Sequence, residues 1–224
     1  MTRTCPTLTI VIPLAPGRAH CPEVVDSLVR AGCDEELILS AVEPPGWPVP
    51  DRAQVVVGPA GRGRQLNRAL ARASGDWVWM LHDDSTLSEQ ALARVHRFIG
   101  RGEPALGFGW LRFADDGPWL CRLNALGANL RSRWPGLPYG DQGLCLPRSR
   151  FEALGGFRED LERGEDLELV VRARDAGLPI RSMGLSVTTS ARRYRQSGWL
   201  RTTLEHQRRA RRLIALARSR TLAE

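Results

Sequence analysis

At His82-Asp83-Asp84-Ser85 an imidazole and two carboxylates follow directly on the apolar run Trp77 to Leu81. Adjacent acids of this kind suit a divalent cation held against phosphate oxygens. A polar turn that caps the next helix, with Thr86 and Glu89 as a capping box, would use the same residue types. Farther on, Gly164-Glu165-Asp166 opens a helical pattern whose later apolar residues are Leu169, Val170 and Val171. Carboxylates in a first helical turn are stabilised by roughly 0.3 to 1 kcal/mol each. Capping alone could therefore explain them.

Three further stretches carry polar groups in patterned company. The glycine-rich turn GPAGRGRQLN opens a helix whose first turn holds Arg62, Arg64, Gln65 and Asn67. Free helix-start amides with added arginines form an anion site. It is not a phosphate loop, because the lysine and the spacing are both missing, and an arginine-rich solvated helix would look the same. The loop WPGLPYGDQG presents Tyr139, Asp141 and Gln142 from a glycine- and proline-rich frame, as ligand-facing loops or ordinary turns do. Last, SARRYRQSG carries Arg192, Arg193 and Arg195.

The elements that must position these groups read as α/β. Leu8 to Pro13 is a buried strand, Glu23 to Arg30 a helix and Glu36 to Val42 a second strand, which makes a βαβ unit with parallel pairing. Gln54 to Val57 is a short third strand. Trp77 to Leu81 is too short for a helix and lacks alternation, so it reads as a central strand buried on both faces. Ligands bind beyond the carboxyl ends of such strands. Ser88 to Ile99 is a helix with Leu92, Val95, Phe98 and Ile99 on its core stripe, and His96 is a surface residue there. Ala105 to Phe113 suggests an antiparallel or edge strand, followed by a helix from Trp119 to about Arg133. Gly143 to Pro147 is a strand, FEALGGF closes a short helix, and Pro179 to Thr188 is a last strand. The tail from Trp199 to Ala217 is helical, with arginines around Leu200, Leu204, Leu213 and Leu216. Basic amphipathic helices lie on membranes or dock on partners, and a solvated terminal helix has the same pattern.

The totals narrow the classes. With 224 residues, 42% hydrophobic and 25% charged, the chain suits one folded domain and not a disordered segment. All 32 basic residues are arginines, which removes Schiff-base chemistry and the phosphate-loop lysine. A net charge of +7 favours anionic partners such as nucleotides, phosphates or an acidic membrane surface. Cys5, Cys21, Cys33, Cys121 and Cys145 form no CxxC pair, so neither zinc nor a disulfide framework is expected, and a reducing cytoplasm fits. LTIVIPLA lacks a small-x-small cleavage site and reads as the first strand, and no window approaches the ~18 apolar residues of a membrane span.

Taken in order, the buried VIP strand, GRGRQLN, GDWVWMLHDDS, YGDQG, GGF, GEDLEL and SARRY resemble a family-2 glycosyltransferase of the GT-A type. More narrowly they resemble the subfamily named for arsenosugar biosynthesis. The resemblance runs from about Leu8 to Thr203. It implies a GT-A fold with a single mixed, mainly parallel sheet flanked by helices, spanning residues 1–198, with residues 199–224 as a basic helix and tail. It also implies an inverting transfer from a nucleotide sugar, usually UDP-linked, to a hydroxyl acceptor, with a divalent metal, manganese or magnesium. The family's metal-binding acid maps onto Asp84, and His82 stands where many relatives carry an aspartate. Donor contacts fall at Pro13, Glu43, Gly61, Arg64, Gln65, Asn67, His82, Asp83 and Asp84. Acceptor-side residues are Tyr139, Asp141, Gln142, Arg192 and Arg193, and the ED pair maps onto Glu165 and Asp166, with Asp166 as base.

A cytoplasmic protein follows, with peripheral membrane contact through the tail helix as its membrane option and no nucleic-acid partner, since the arginines are spread over most helices. Two rivals share the α/β core: a sugar-phosphate nucleotidyltransferase, which would need a catalytic lysine, and a non-catalytic nucleotide-sugar sensor.

Overall fold

The computed structural model describes residues 6–221, with side chains through residue 215; Cys5 and the side chain of Leu216 lie outside that range. The first half builds one wall of the sheet. Leu8–Pro13 (β1) pairs in parallel with Glu36–Ala41 (β2) on one side and Trp77–Met80 (β4) on the other, and Ala53–Val57 (β3) pairs in parallel with β2. Ile10 stands opposite both Leu37 and Trp79. Glu23–Arg30 (α1) makes the crossover from β1 to β2, and Arg62–Leu70 (α2) that from β3 to β4.

The second half adds strands of mixed direction. Leu144–Pro147 (β7) runs antiparallel to β4, Leu106–Phe113 (β6) antiparallel to β7, Ile180–Thr189 (β8) parallel to β6, and Ser85–Leu87 (β5) antiparallel to β8. The sheet order is β3-β2-β1-β4-β7-β6-β8-β5. Ala91–Ile99 (α3), Cys121–Arg133 (α4), Arg148–Ala153 (α5), Glu165–Asp175 (α6), Arg192–Ser197 (α7) and Trp199–Thr221 (α8) complete the chain, with a 3₁₀ turn at Gly140–Gln142.

Both faces of the central strands are buried, and period-2 alternation divides them. Ile10, Ile12, Leu37, Leu39 and Trp79 join α1 and α3 in one core, while Val11, Ile38, Val78 and Met80 join α2 and α6 in the other. Near-continuous apolar runs therefore describe these strands better than alternation does. The second core also takes Leu213 and Ile214 of α8, so the basic tail helix lies against α6.

Two local expectations are corrected. The segment Ala105 to Phe113 runs antiparallel to β7, as one expected alternative had it, and the edge alternative is the one that fails: β6 is enclosed between β7 and β8, parallel to the latter. The helix expected from Ser88 begins at Ala91, and no Thr86–Glu89 capping box forms. Ser85–Leu87 is drawn into β5 by ladder pairing with Val187 to Thr189, and the Thr86 hydroxyl donates to Glu23 instead. Side chains also staple the ends of the strands. Gln65, buried on α2, donates one N–H to the Leu14 carbonyl and one to the Ser40 carbonyl, each at 2.8 Å. Asn67 clasps Phe157 by a reciprocal pair of hydrogen bonds to its backbone, both 2.8 Å.

Gln65→Leu keeps the volume but strands the buried Leu14 carbonyl and leaves the Ser40 carbonyl with the Leu14 N–H alone. We expect it to lower unfolding free energy by about 1–3 kcal/mol, read by chemical denaturation; an unchanged midpoint would show that water replaces the lost N–H groups.

Candidate active site

The apolar strand β4 delivers Leu81, whose N–H donates to the Val11 carbonyl, and the chain then turns, with Ser85 N–H closing on the His82 carbonyl. This places His82, Asp83 and Asp84 at the carboxyl end of the sheet, beside the point where strand order reverses from β2-β1 to β4. Asp83 is committed to the scaffold: its Oδ2 accepts from the Ala15 N–H at 2.9 Å and from Arg18 Nε at 2.8 Å, which ties the loop after β1 to the acidic turn. The Asp84 side chain accepts from Thr189 Oγ1 at 3.4 Å. His82 Nε2 is buried without a partner.

Opposite stands the first turn of α6. Its N-cap, Gly164, has φ of +89°, a left-handed conformation that glycine alone adopts cheaply, and Leu213 of α8 fills the place a Cβ would take. Glu165 turns inward and pairs with Arg62 Nε at 3.1 Å, while Asp166 accepts from the Leu167 N–H at 2.8 Å and the Gly140 N–H at 2.5 Å. Gly140 is the meeting point. A Cβ there would lie 2.6 Å from Asp166 Oδ2, 2.7 Å from His82 Nε2 and 2.9 Å from Arg62 Nη2. Three functional tips from three elements thus surround one Cα that can carry no side chain.

The charge is unbalanced. Burial and then Asp83 raise the Asp84 carboxyl; burial and then Asp166 raise Glu165 and push Asp141 up to about 6. Burial, then Arg62, holds His82 well below the ordinary imidazole value. Asp84 retains accessible surface although protein atoms crowd its carboxylate, so solvent limits the size of its shift. Asp141 is influenced by both Asp166 and Asp84, which puts the two distant acids on one side of the molecule, around a shared neighbour.

The remaining expected residues fall in three groups. Tyr139 lies under the Arg131 guanidinium, 3.5 Å from ring centroid, and Asp141 keeps one buried oxygen without a partner. Gln142 is fully buried and wholly engaged: it donates to the Gly109 carbonyl and accepts from Ser132 and Tyr139, which makes it the frame of the loop. Gln65 and Asn67 are likewise staples. Glu43 is exposed and accepts from the Gly17 N–H, and Pro13 ends β1, buried beside Ser40. Arg64 points away, 3.7 Å from Glu159, and Gly61 is the exposed N-cap of α2. Arg192 and Arg193 are exposed at the start of α7.

Two residues matter more than the sequence indicates: local pattern shows Arg62 only as one of several helix-start residues, and it does not single out Asp116 at all. Arg62, not Arg64, is the guanidinium among the acids; it shares the i, i+3, i+4, i+7 face with Gln65, Leu66 and Ala69, all buried, so helical period alone marked it as inward-facing. Asp116 holds the SARRY segment by accepting from the Ser190 hydroxyl and the Ala191 N–H, and nothing local in the sequence signalled that long-range cap.

Among the described residues no cluster of three or more His, Cys, Asp or Glu side chains is arranged to hold a metal ion by itself. Asp84, with its raised carboxyl and long bond from Thr189, and His82, with its unpaired nitrogen, are the groups able to contribute. Such a sparse set fits an ion carried mostly by phosphate oxygens and water, as magnesium-type sites are.

Residues 48–158 match the model of the family described as Glycosyl transferase family 2. That stretch includes α2, the acidic turn and the Gly140 loop, and the match supports a family-2 glycosyltransferase. No curated protein matches the chain. Among solved structures, the mannosyltransferase PcManGT from Pyrobaculum calidifontis, in complex with GDP-Man and Mn2+, aligns with TM-score 0.57 at 17% identity over 82% of this chain and 57% of its own. Glucosyl-3-phosphoglycerate synthase from Mycobacterium tuberculosis, with Mn2+, UDP and glucosyl-3-phosphoglycerate, gives 0.56 at 20% over 83% and 70%. S. aureus TarS 1-349 in complex with UDP-GlcNAc gives 0.61 at 12% over 83% and 59%. The chain has the GT-A fold of these glycosyltransferases, and spans less than two thirds of the mannosyltransferase and of TarS.

One consequence of the crowded acids is measurable without substrate. The folded Asp141 carboxyl holds its proton to higher pH than the unfolded one, so it costs stability above about pH 6 and nothing well below the ordinary carboxylate range. Asp141→Asn is expected to raise unfolding free energy at pH 7 by about 1–3 kcal/mol, at about 1.4 kcal/mol per pKa unit, with the gain fading by about pH 4. Denaturation curves at the two pH values check it; a loss of stability at pH 7 would mean that the carboxylate has a compensating partner.

Proposed function

We propose that this protein is an inverting glycosyltransferase that moves a sugar, of hexosyl type, from a nucleotide diphosphate donor, UDP-linked by the family's habit, to a hydroxyl acceptor. The observation that carries the reading is the convergence on Gly140 of Asp166, His82 and Arg62, and it is supported by like-folded proteins in complex with GDP-Man or UDP-GlcNAc. The narrower resemblance to the arsenosugar-associated subfamily belongs to this proposal as a label for the motif set, and the cytoplasm is its compartment.

In this reading Asp166 is the base. Its carboxylate is oriented by two backbone N–H groups, and each oxygen keeps a second lone pair for the acceptor hydroxyl. As the acceptor oxygen bonds to the anomeric carbon, its proton passes to Asp166 and the nucleotide diphosphate departs from the opposite face of the sugar. Glu165 positions Arg62 through their ion pair, and Arg62 supplies fixed positive charge where negative charge accumulates. Asp141 offers its unpaired oxygen to a sugar or acceptor hydroxyl.

A divalent cation fits the surplus of acids whose carboxyls are raised by burial and then by mutual proximity, and Asp84, with His82 beside it, would hold it. Bound there, such an ion supplies electrostatic stabilisation of the leaving diphosphate.

Asp166→Asn is expected to lower turnover by roughly 10² to 10⁴-fold with nucleotide binding nearly intact. Parallel loss of both, in initial rates and calorimetry, would remove Asp166 from the role of base. Asp84→Ala is expected to abolish the manganese dependence of UDP binding measured by titration calorimetry. Binding by the parent protein that ignores manganese would contradict the assignment. A donor that binds and is neither hydrolysed nor transferred with any acceptor would favour a sensor.

A further inference from the structure

Helix α4 is packed inside out. Its inward face carries Cys121, Ala128 and Ser132, with Asn129 bonding the Leu111 backbone, whereas its large apolar side chains face solvent. Trp119 is 71% exposed, Leu126 57% and Trp134 79%, and Leu123 and Leu130 complete the stripe. The spacing 119, 123, 126, 130, 134 follows one helical face for the length of α4. α8 continues the patch: the Trp199 indole and the Thr203 hydroxyl both bond Asn124, which sets the exposed Leu200 and Leu204 beside α4. Contiguous apolar surface of this kind marks an interaction site.

Charge says what covers it. Arg122 and Arg133 flank the stripe on α4, and exposed Arg201 and Arg208 rise from the same end of α8. The nearby acids are Asp115, 3.8 Å from Arg122, and Glu205, 2.9 Å from Arg201. Pairing with a second copy would set like-charged arginines against each other in a protein of net charge +7. Leucines along a helix, tryptophans at both ends and arginines at the rim instead suit the boundary between acyl chains and anionic headgroups.

We propose that the α4 stripe, extended by Leu200 and Leu204, docks this protein on an anionic lipid bilayer. This differs from attachment by the basic tail alone, because the apolar anchor is α4 and the arginines assist. It is independent of the transfer chemistry. Docking would bring the bilayer beside the acceptor-side loop, since Ser132 and Arg131 of α4 hold Gln142 and Tyr139.

The test is co-flotation of the full chain with vesicles of phosphatidylcholine, alone or mixed with phosphatidylglycerol. The parent protein should float with the mixed vesicles and much less with the neutral ones. Leu126→Ser with Trp134→Ser, both at exposed positions, should cut the bound fraction at least about tenfold while circular dichroism and UDP affinity in solution stay unchanged; Arg201→Gln with Arg208→Gln should weaken it by a smaller factor that added salt mimics. Three results would overturn the proposal: no flotation of the parent, flotation of the serine variant equal to the parent, or light scattering that shows a dimer dissolved by the serine changes with no vesicle binding. If the serine variant fails to fold, Leu123→Gln alone is read in the same assay against the same outcomes.

Discussion

The guanidinium of Arg62 is the counterweight on which the site rests. Asp84, Asp141, Glu165 and Asp166 gather at one end of the sheet, and Arg62 is the cation that acts on Asp84, Asp141 and Glu165 together. Bringing carboxylates close in a place short of water raises the free energy of their charged forms, and a partly exposed guanidinium offsets only part of that. The scaffold must hold the cluster against its own repulsion. Gln65 and Asn67 on α2, the Gly140 and Leu167 amides on Asp166, and Leu213 packed on Gly164 supply that restraint.

That arrangement explains why so many polar residues near the site are not themselves available to a ligand. Asp83, Gln142, Asn67 and Gln65 have their hydrogen-bonding groups engaged by backbone or by Arg18. Unsatisfied buried atoms at the site belong to His82, Arg62, Asp141 and Glu165, and of these His82 and Arg62 reach the space around Gly140. A site prepared to receive charged ligand atoms is expected to show this division between engaged frame and unpaired tips. The unpaired tips are a stability cost that a bound donor and cation would relieve.

Surface and site are also mechanically joined. α4 offers its small residues to the core and its leucines to solvent, and the same helix clamps the Gly140 loop through Ser132 and Arg131. Whatever settles on α4 therefore lies on a helix that directly holds Gln142 and Tyr139, the two neighbours of Gly140-Asp141 in the loop. The tail helix α8 reaches from that patch to Gly164, the N-cap of the helix that carries Asp166.

Most elements were legible from local pattern, because apolar runs and helical period report burial directly. β1, α1, β2 and the acidic end of β4 fall within a residue of where the sequence puts them. The motif order also carried the expectation of a GT-A fold, which the comparisons with solved structures show. Local pattern misread what depends on partners: β6 became an inner strand because β8 returned to pair with it, and β5 replaced a helix start for the same reason. Local pattern put Arg62 and Arg64 together at the start of α2 and could not tell that they point to different sides, with Arg62 alone of the two meeting Glu165. By itself the sequence determined which acids and arginines exist and which helix or strand end each one occupies, since those follow from short-range periodicity and turn chemistry. Only the tertiary structure decided that His82, Arg62 and Asp166 meet at Gly140, because that contact depends on strand order and on a glycine whose lack of a side chain leaves room for three others.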